Sequence, residues 1–297
     1  MKYVRLSDKV SLSGIVQGFW RLPDWHMSDE ENAKLLRDCV ERGVTSFDTA
    51  QVYGLGACEE QLGRALKVSG LKRTEFQVIS KTGIAWSDPE KGGFMHYDTR
   101  YDTIVNSVKE SVRKLGCGYL DLLLIHREDP CIDHHEAARA LKDLKKEGVI
   151  LEAGVSNFDP FKFTALNNCM GGTLVTNQIE WNPVCFEHFN SGMMDVLVEK
   201  KIHPMIWSPL AGGRIFTSDE ETCVKARAKI TEIAERHGTT PDTIVYAWLM
   251  HHPVGAIPIC GSRNAERLDR AIAALDVKLT NMEWYEIYVA SGQQRLR

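Results

Sequence analysis

Four side chains of this 297-residue chain are of types that together could deliver a proton to an oxygen. Asp48 closes a short β-rich run, and Tyr53 follows it in the next loop. Lys81 closes the following run, and His126 ends Tyr119-Leu120-Asp121-Leu122-Leu123-Leu124-Ile125, the most apolar one. A free tyrosine, with a pKa of about 10, is a poor acid at neutral pH. A neighbouring ammonium favours the phenolate, so Lys81 is expected to lower the Tyr53 pKa, with Asp48 keeping the lysine charged and oriented. His126 on the facing wall would hold a carbonyl oxygen by hydrogen bond. Such a group protonates an oxygen as hydride reaches its carbon. Singly, each residue has a plainer role: a turn-capping Asp, a solvated Lys, a satisfied core His. Those roles do not explain why all of them follow consecutive strands.

Short β-rich runs alternate with amphipathic helical runs along the chain. The strands are expected at 14–19, 46–48, 76–81, 119–126, 151–156, 174–180, 202–207 and 254–259. Helices are expected over 29–42, where Leu35, Leu36, Cys39 and Val40 share a face, and over 58–68, 103–115, 135–147, from Pro160, over 222–250 with a break near Gly238 and Pro241, and over 265–275. Ser28 with Glu31 three residues later reads as a helix start, as does Thr280 with Glu283 before a C-terminal helix over 281–291. Eight strand–helix units without a fixed repeat or linker predict an α/β fold, a (β/α)8 TIM barrel occupying residues 1–297 as a single domain. An open doubly wound sheet usually has fewer units. Residues 3–13 are expected to form an N-terminal hairpin over the barrel floor. In barrels the active site lies at the C-terminal ends of the strands, where the four residues fall.

The composition, 43% hydrophobic and 26% charged with net charge −4, is that of a globular protein and gives no global drive toward nucleic acid or anionic membrane. No apolar stretch is long enough for a membrane span, and the N-terminus lacks the apolar core of a signal peptide. The eight cysteines are scattered without a Cys-x-x-Cys pair, which fits free thiols and a cytoplasmic location. The pairs His134-His135 and His251-His252 point apart on a helix, so no metal site is expected. Gly54-Leu55-Gly56 begins like a dinucleotide fingerprint, but Glu59 replaces the third glycine. A monomer is expected, because a barrel closes its core without a partner.

Along nearly its whole length the sequence resembles the aldo-keto reductases, and in His126-Arg127 a bacterial oxidoreductase branch. The resemblance rests on Gly43-Val44-Thr45-Ser46-Phe47-Asp48-Thr49-Ala50-Gln51-Val52-Tyr53-Gly54, Ile79-Ser80-Lys81, the His126 strand, Gly154-Val155-Ser156-Asn157-Phe158, Asn177-Gln178-Ile179-Glu180 and Trp207-Ser208-Pro209-Leu210. It implies that Asp48, Tyr53, Lys81 and His126 form a catalytic tetrad, with Tyr53 the general acid. It also implies nicotinamide held by Ser156, Asn157 and Gln178 and stacked on Trp207. The loop carrying Ser208, Leu210, Gly212 and Arg214 would take the pyrophosphate. Gly261, Ser262, Arg263 and Arg267 would take an adenosine 2′-phosphate, which favours NADPH. Arg270 and Ala271 stand where the family usually has a Glu–Asn pair.

Loops after strands should wall the substrate pocket. Trp20, Trp86, Phe94 and Trp181 are the aromatic candidates, and residues 84–100 read as a lid. The leading expectation is NADPH-dependent reduction of a small-molecule aldehyde or ketone. The alternatives are a cofactor-binding sensor or regulatory barrel, and an aldolase using Lys81 as a Schiff base.

Overall fold

The computed structural model describes residues 1–87 and 93–293. Its strands are β1 (Tyr3–Arg5), β2 (Ser11–Ser13), β3 (Val16–Gly18), β4 (Ser46–Asp48), β5 (Gln77–Thr82), β6 (Ile84–Trp86), β7 (Met95–Tyr97), β8 (Leu120–Ile125), β9 (Ile150–Ser156), β10 (Asn177–Glu180), β11 (Met205–Trp207) and β12 (Ile257–Cys260). Eight of them, β3-β4-β5-β8-β9-β10-β11-β12 in order around the wall, pair in parallel, and β12 returns to β3 to close the barrel. This is the eightfold barrel expected from the alternating pattern.

The strands place residues by their period of two. In β5, Val78 faces the helix layer and Ile79 the barrel interior; in β8, Leu122 and Leu124 face inward while Leu123 and Ile125 face outward. Continuing that alternation carries Lys81 and His126 to the interior at the strand ends. β1 and β2 form the expected antiparallel hairpin. Its Ser13 exchanges hydrogen bonds with Ser46 at the start of β4, and the neighbouring Val10 and Leu12 join the interior cluster, plugging the floor.

The outer layer comprises α1 (Asp29–Glu41), α2 (Ala57–Ser69), α3 (Tyr101–Leu115), α4 (His134–Lys146), α5 (Pro160–Cys169), α6 (Glu187–Asn190), α7 (Met193–Lys200), α8 (Arg214–Thr217), α9 (Glu221–His237), α10 (Pro241–His251) and α11 (Ala265–Ala273), with α12 (Asn281–Ala290) beyond the repeat. Ser28–Glu31 and Thr280–Glu283 form reciprocal capping boxes that start α1 and α12. At Gly63 of α2 a Cβ would come within 2.2 Å of the Lys114 carbonyl oxygen, so α2 and α3 pack closely only because that residue is glycine.

Three local differences have plain causes. β11 begins at Met205 rather than 202, because Pro204 has no N–H to give the ladder. β12 begins at Ile257 rather than 254, after Gly255 turns the chain at φ +66°. Within the anticipated 84–100 lid, β6 and β7 pair as an antiparallel hairpin, too short to show a pattern in sequence; residues 88–92 of that segment lie outside the described residues. The helices α6 and α7 between β10 and β11 were also not anticipated, since each is short.

Candidate active site

A cavity of about 1220 Å³ opens at the C-terminal ends of the strands. Asp48 ends β4 and Lys81 lies near the end of β5, both buried. The lysine Nζ donates to Asp48 Oδ1 at 2.6 Å and to the Thr49 carbonyl at 2.7 Å. Gln178 of β10 donates from Nε2 to Asp48 Oδ2 at 2.8 Å, so both carboxylate oxygens are bound from opposite sides of the barrel. Tyr53 follows β4 in a tight turn whose next two residues, Gly54 and Leu55, have φ +58° and +53°. The Lys81 Nζ lies 4.8 Å from the centre of the Tyr53 ring, and His126 meets that ring edge-on at 5.5 Å. The structure thus brings all four residues together.

The electrostatics correct one expectation. Enclosure by the cavity walls pushes the Tyr53 phenol upward; Lys81 draws it down, but burial and Asp48 outweigh that pull. Tyr53 is therefore a protonated donor, not a phenolate. Burial works against the Lys81 ammonium, yet Asp48 and Tyr53 overcome it and its pKa rises. A charged, fully buried, ion-paired amine is the opposite of what a Schiff-base lysine needs, which removes the aldolase reading. His126 lies well below its ordinary value, through burial first and then through Lys81 and Arg127, so its imidazole is neutral.

Around this group Ser156, Asn157, Gln178, Trp207, Ser208, Leu210 and Gly212 line the cavity, followed by Gly261, Ser262 and Arg267. Asn157, in the left-handed region at φ +60°, donates from Nδ2 to Ser156 Oγ (2.8 Å) and to the His126 carbonyl (3.3 Å), and its Oδ1 accepts from the Trp207 indole at 2.8 Å. Asn157 is thus a strut for Trp207, with only the second lone pair of Oδ1 left for a ligand. Gln178 Oε1 accepts no bond from the described residues and is the freer acceptor of the two.

Two assignments fall outside the cavity wall. Arg214 opens α8, is exposed and does not line the cavity. Arg263 donates from its guanidinium to the Trp25 carbonyl at 2.6 Å, tying the loop after β12 to the loop after β3. Arg270, on the next turn of α11, does line the cavity and pairs with Asp242 at 3.6 Å. Of the aromatic candidates, Trp20 lines the cavity. Trp86 and Phe94 do not; each lies further along its hairpin arm than Ile84 and Met95–Tyr97, which do. Trp181 is fully buried, because the alternation that turns Gln178 inward turns Ile179 and Trp181 outward, onto Trp248 and Phe189. Arg21 and Arg127 also line the cavity and were missed; each adjoins a residue already singled out, Trp20 and His126.

An eightfold parallel barrel with this buried amine–carboxylate pair, phenol and imidazole at its mouth defines a nicotinamide-dependent oxidoreductase. The aldo/keto reductase family model matches residues 14–290, and the chain belongs to that family. It is 37% identical to the uncharacterized oxidoreductase YcsN of Bacillus subtilis over 98% of both chains. It is 36% identical to a 6-dehydroglucose reductase of Agrobacterium fabrum over 99% of both. The crystal structure of the thermostable aldo-keto reductase Tm1743 with the inhibitor epalrestat superposes with a TM-score of 0.83 at 27% identity, covering 98% of this chain and all of that one. Among the described residues no helix is long and apolar enough to cross a membrane, and no cluster of candidate metal ligands occurs.

If Trp207 is the stacking face, Trp207→Ala weakens NADPH and NADH alike, by roughly 10-fold. Titration of each coenzyme by fluorescence checks this, and unchanged affinity for both would remove the stacking role.

Proposed function

We propose that this protein reduces aldehydes or ketones to alcohols with NADPH, and that Tyr53 is the general acid. The observation that carries the reading is Lys81 clamped by Asp48 and Thr49 beneath the Tyr53 ring, with neutral His126 against the same ring. Bound NADPH would supply the hydride. The residues of the chain supply the rest. His126, as a neutral imidazole, donates a hydrogen bond that holds the carbonyl oxygen. Tyr53 passes its proton to that oxygen, and the Lys81 ammonium stabilises the negative charge the phenol then acquires. Asp48, fixed by Gln178, keeps the ammonium in place.

The cavity suits a dinucleotide along its length. One end offers Ser156, Gln178 and the flat Trp207; next comes a loop where Ser208, Gly212 and Gly213 adopt positive φ and leave the backbone open to a phosphate; the far end offers Ser262 and Arg267. Arg267 makes no ion pair among the described residues, so its guanidinium is free for the 2′-phosphate that distinguishes NADPH. Arg267→Ala is expected to weaken NADPH roughly 10- to 100-fold and NADH far less. Arg263→Ala, which loosens only the tie to Trp25, should weaken both coenzymes equally. Coenzyme titrations of the two variants decide it; the reverse pattern would put the phosphate on Arg263.

The relative named as a 6-dehydroglucose reductase supports an aldehyde substrate. The direct test is NADPH consumption with 4-nitrobenzaldehyde, an activated aldehyde that a generous site turns over. Binding of NADPH without turnover of this or other aldehydes would favour a sensor barrel instead.

A further inference from the structure

The charges lining the cavity are matched within the protein or by the proposed coenzyme, with one exception. Asp48 is matched by Lys81 and Asp242 by Arg270. Arg267 stands at the proposed 2′-phosphate position, and the exposed Arg21 reaches within 3.9 Å of where a Gly212 side chain would be, on the proposed pyrophosphate loop. Arg127 is left. It follows His126 just beyond the end of β8, four strands from β12 around an eight-stranded wall, and so diametrically opposite the adenosine end.

Arg127 is only half-exposed, yet makes no ion pair or side-chain hydrogen bond among the described residues. Its guanidinium carbon lies 5.7 Å from the centre of the Trp207 ring. None of the acids near it pairs with it among the described residues. Glu128 is bound by Lys162 at 2.9 Å. Glu180 accepts from Asn182 at 3.4 Å; burial pushes its carboxyl upward, while Arg214 and Arg127 draw it down from a distance without pairing with it. His188, also nearby, is held below its ordinary value by burial and brings no second charge. A partly desolvated guanidinium without a counter-ion is costly unless a ligand supplies one.

We infer that Arg127 binds a carboxylate on the substrate, so that the site takes carbonyl compounds carrying an acid group away from the reacting carbon. One guanidinium matches one carboxylate in fork geometry. Because Arg127 also acts on Tyr53 and His126, its replacement shifts rates on every substrate; the discriminating quantity is a ratio.

This inference rests on the proposed carbonyl reduction, and the experiment separates the two. The kcat/KM for 4-carboxybenzaldehyde is divided by that for its neutral methyl ester, in wild type and in Arg127→Met. The ratio should fall roughly 10- to 100-fold in the variant, the worth of a charge-assisted hydrogen-bonded pair. An equal ratio in both proteins overturns the assignment. If wild type reduces neither aldehyde, the reductase reading fails, and calorimetric titration with benzoate still decides about Arg127. Weaker benzoate binding in Arg127→Met supports the carboxylate site; equal binding, or none to wild type, rejects it.

Discussion

Tyr53→Phe is expected to lower NADPH-dependent turnover of 4-nitrobenzaldehyde by about 100- to 10,000-fold while leaving coenzyme affinity unchanged. The substitution removes one oxygen and keeps the ring that packs against His126 at 5.5 Å and lies over Lys81. What disappears is the proposed proton donor. Burial holds the Tyr53 phenol above its ordinary value, so in wild type the proton is present throughout the neutral range, and in the proposed mechanism its transfer depends on Lys81 stabilising the charge left behind. His126 is neutral and meets the same ring edge-on, but it is no equivalent acid, because the N–H of a neutral imidazole is far less acidic than that of an imidazolium. A residual rate within about tenfold of wild type would move the acid role away from Tyr53. Loss of coenzyme binding together with turnover would instead show that Tyr53 shapes the site.

Lys81→Met is expected to cost about 3–5 kcal/mol of folding stability in addition to turnover. Both partners of the Lys81–Asp48 pair are almost wholly removed from water, their side chains exposed by 0% and 4%. Removing the amine leaves a carboxylate with Gln178 Nε2 as its one remaining side-chain donor among the described residues. The cost is therefore that of an unpaired buried charge, not of a surface ion pair, which is typically worth under about 1 kcal/mol. Urea denaturation checks it. Combining Lys81→Met with Asp48→Asn should recover much of the loss, because the charge that lacked a partner is then gone. A single variant as stable as wild type would mean that water reaches Asp48 and that the pair is not the closed clamp described here.

The architecture was legible in the sequence wherever local pattern decides conformation. The capping boxes at Ser28 and Thr280 depend on residues three apart and stand where expected. The Leu-rich run predicted β8 because a parallel strand buried on both faces must be apolar throughout. Asp48, Tyr53, Lys81 and His126 could be picked out because residue type and strand end are both local properties. The 84–86 and 95–97 hairpin was not legible, since three-residue strands carry too little periodicity to register.

The tertiary structure alone decided which side chains share space. Arg263 and Trp25 lie 238 residues apart in the chain, and only the fold brings that guanidinium to the Trp25 carbonyl oxygen. Trp181 lost its pocket role to the phase of β10, which directs it among Trp248 and Phe189. The direction of the Tyr53 shift was likewise beyond the sequence: residue types announce the pull of Lys81, but burial, which outweighs it, is set by what the whole barrel packs around the ring. That Arg127 makes no ion pair among the described residues is a fact of the same kind. Propensity and periodicity act between neighbours in the chain, whereas desolvation and Coulomb interactions act through space, between groups that only the closed barrel brings together.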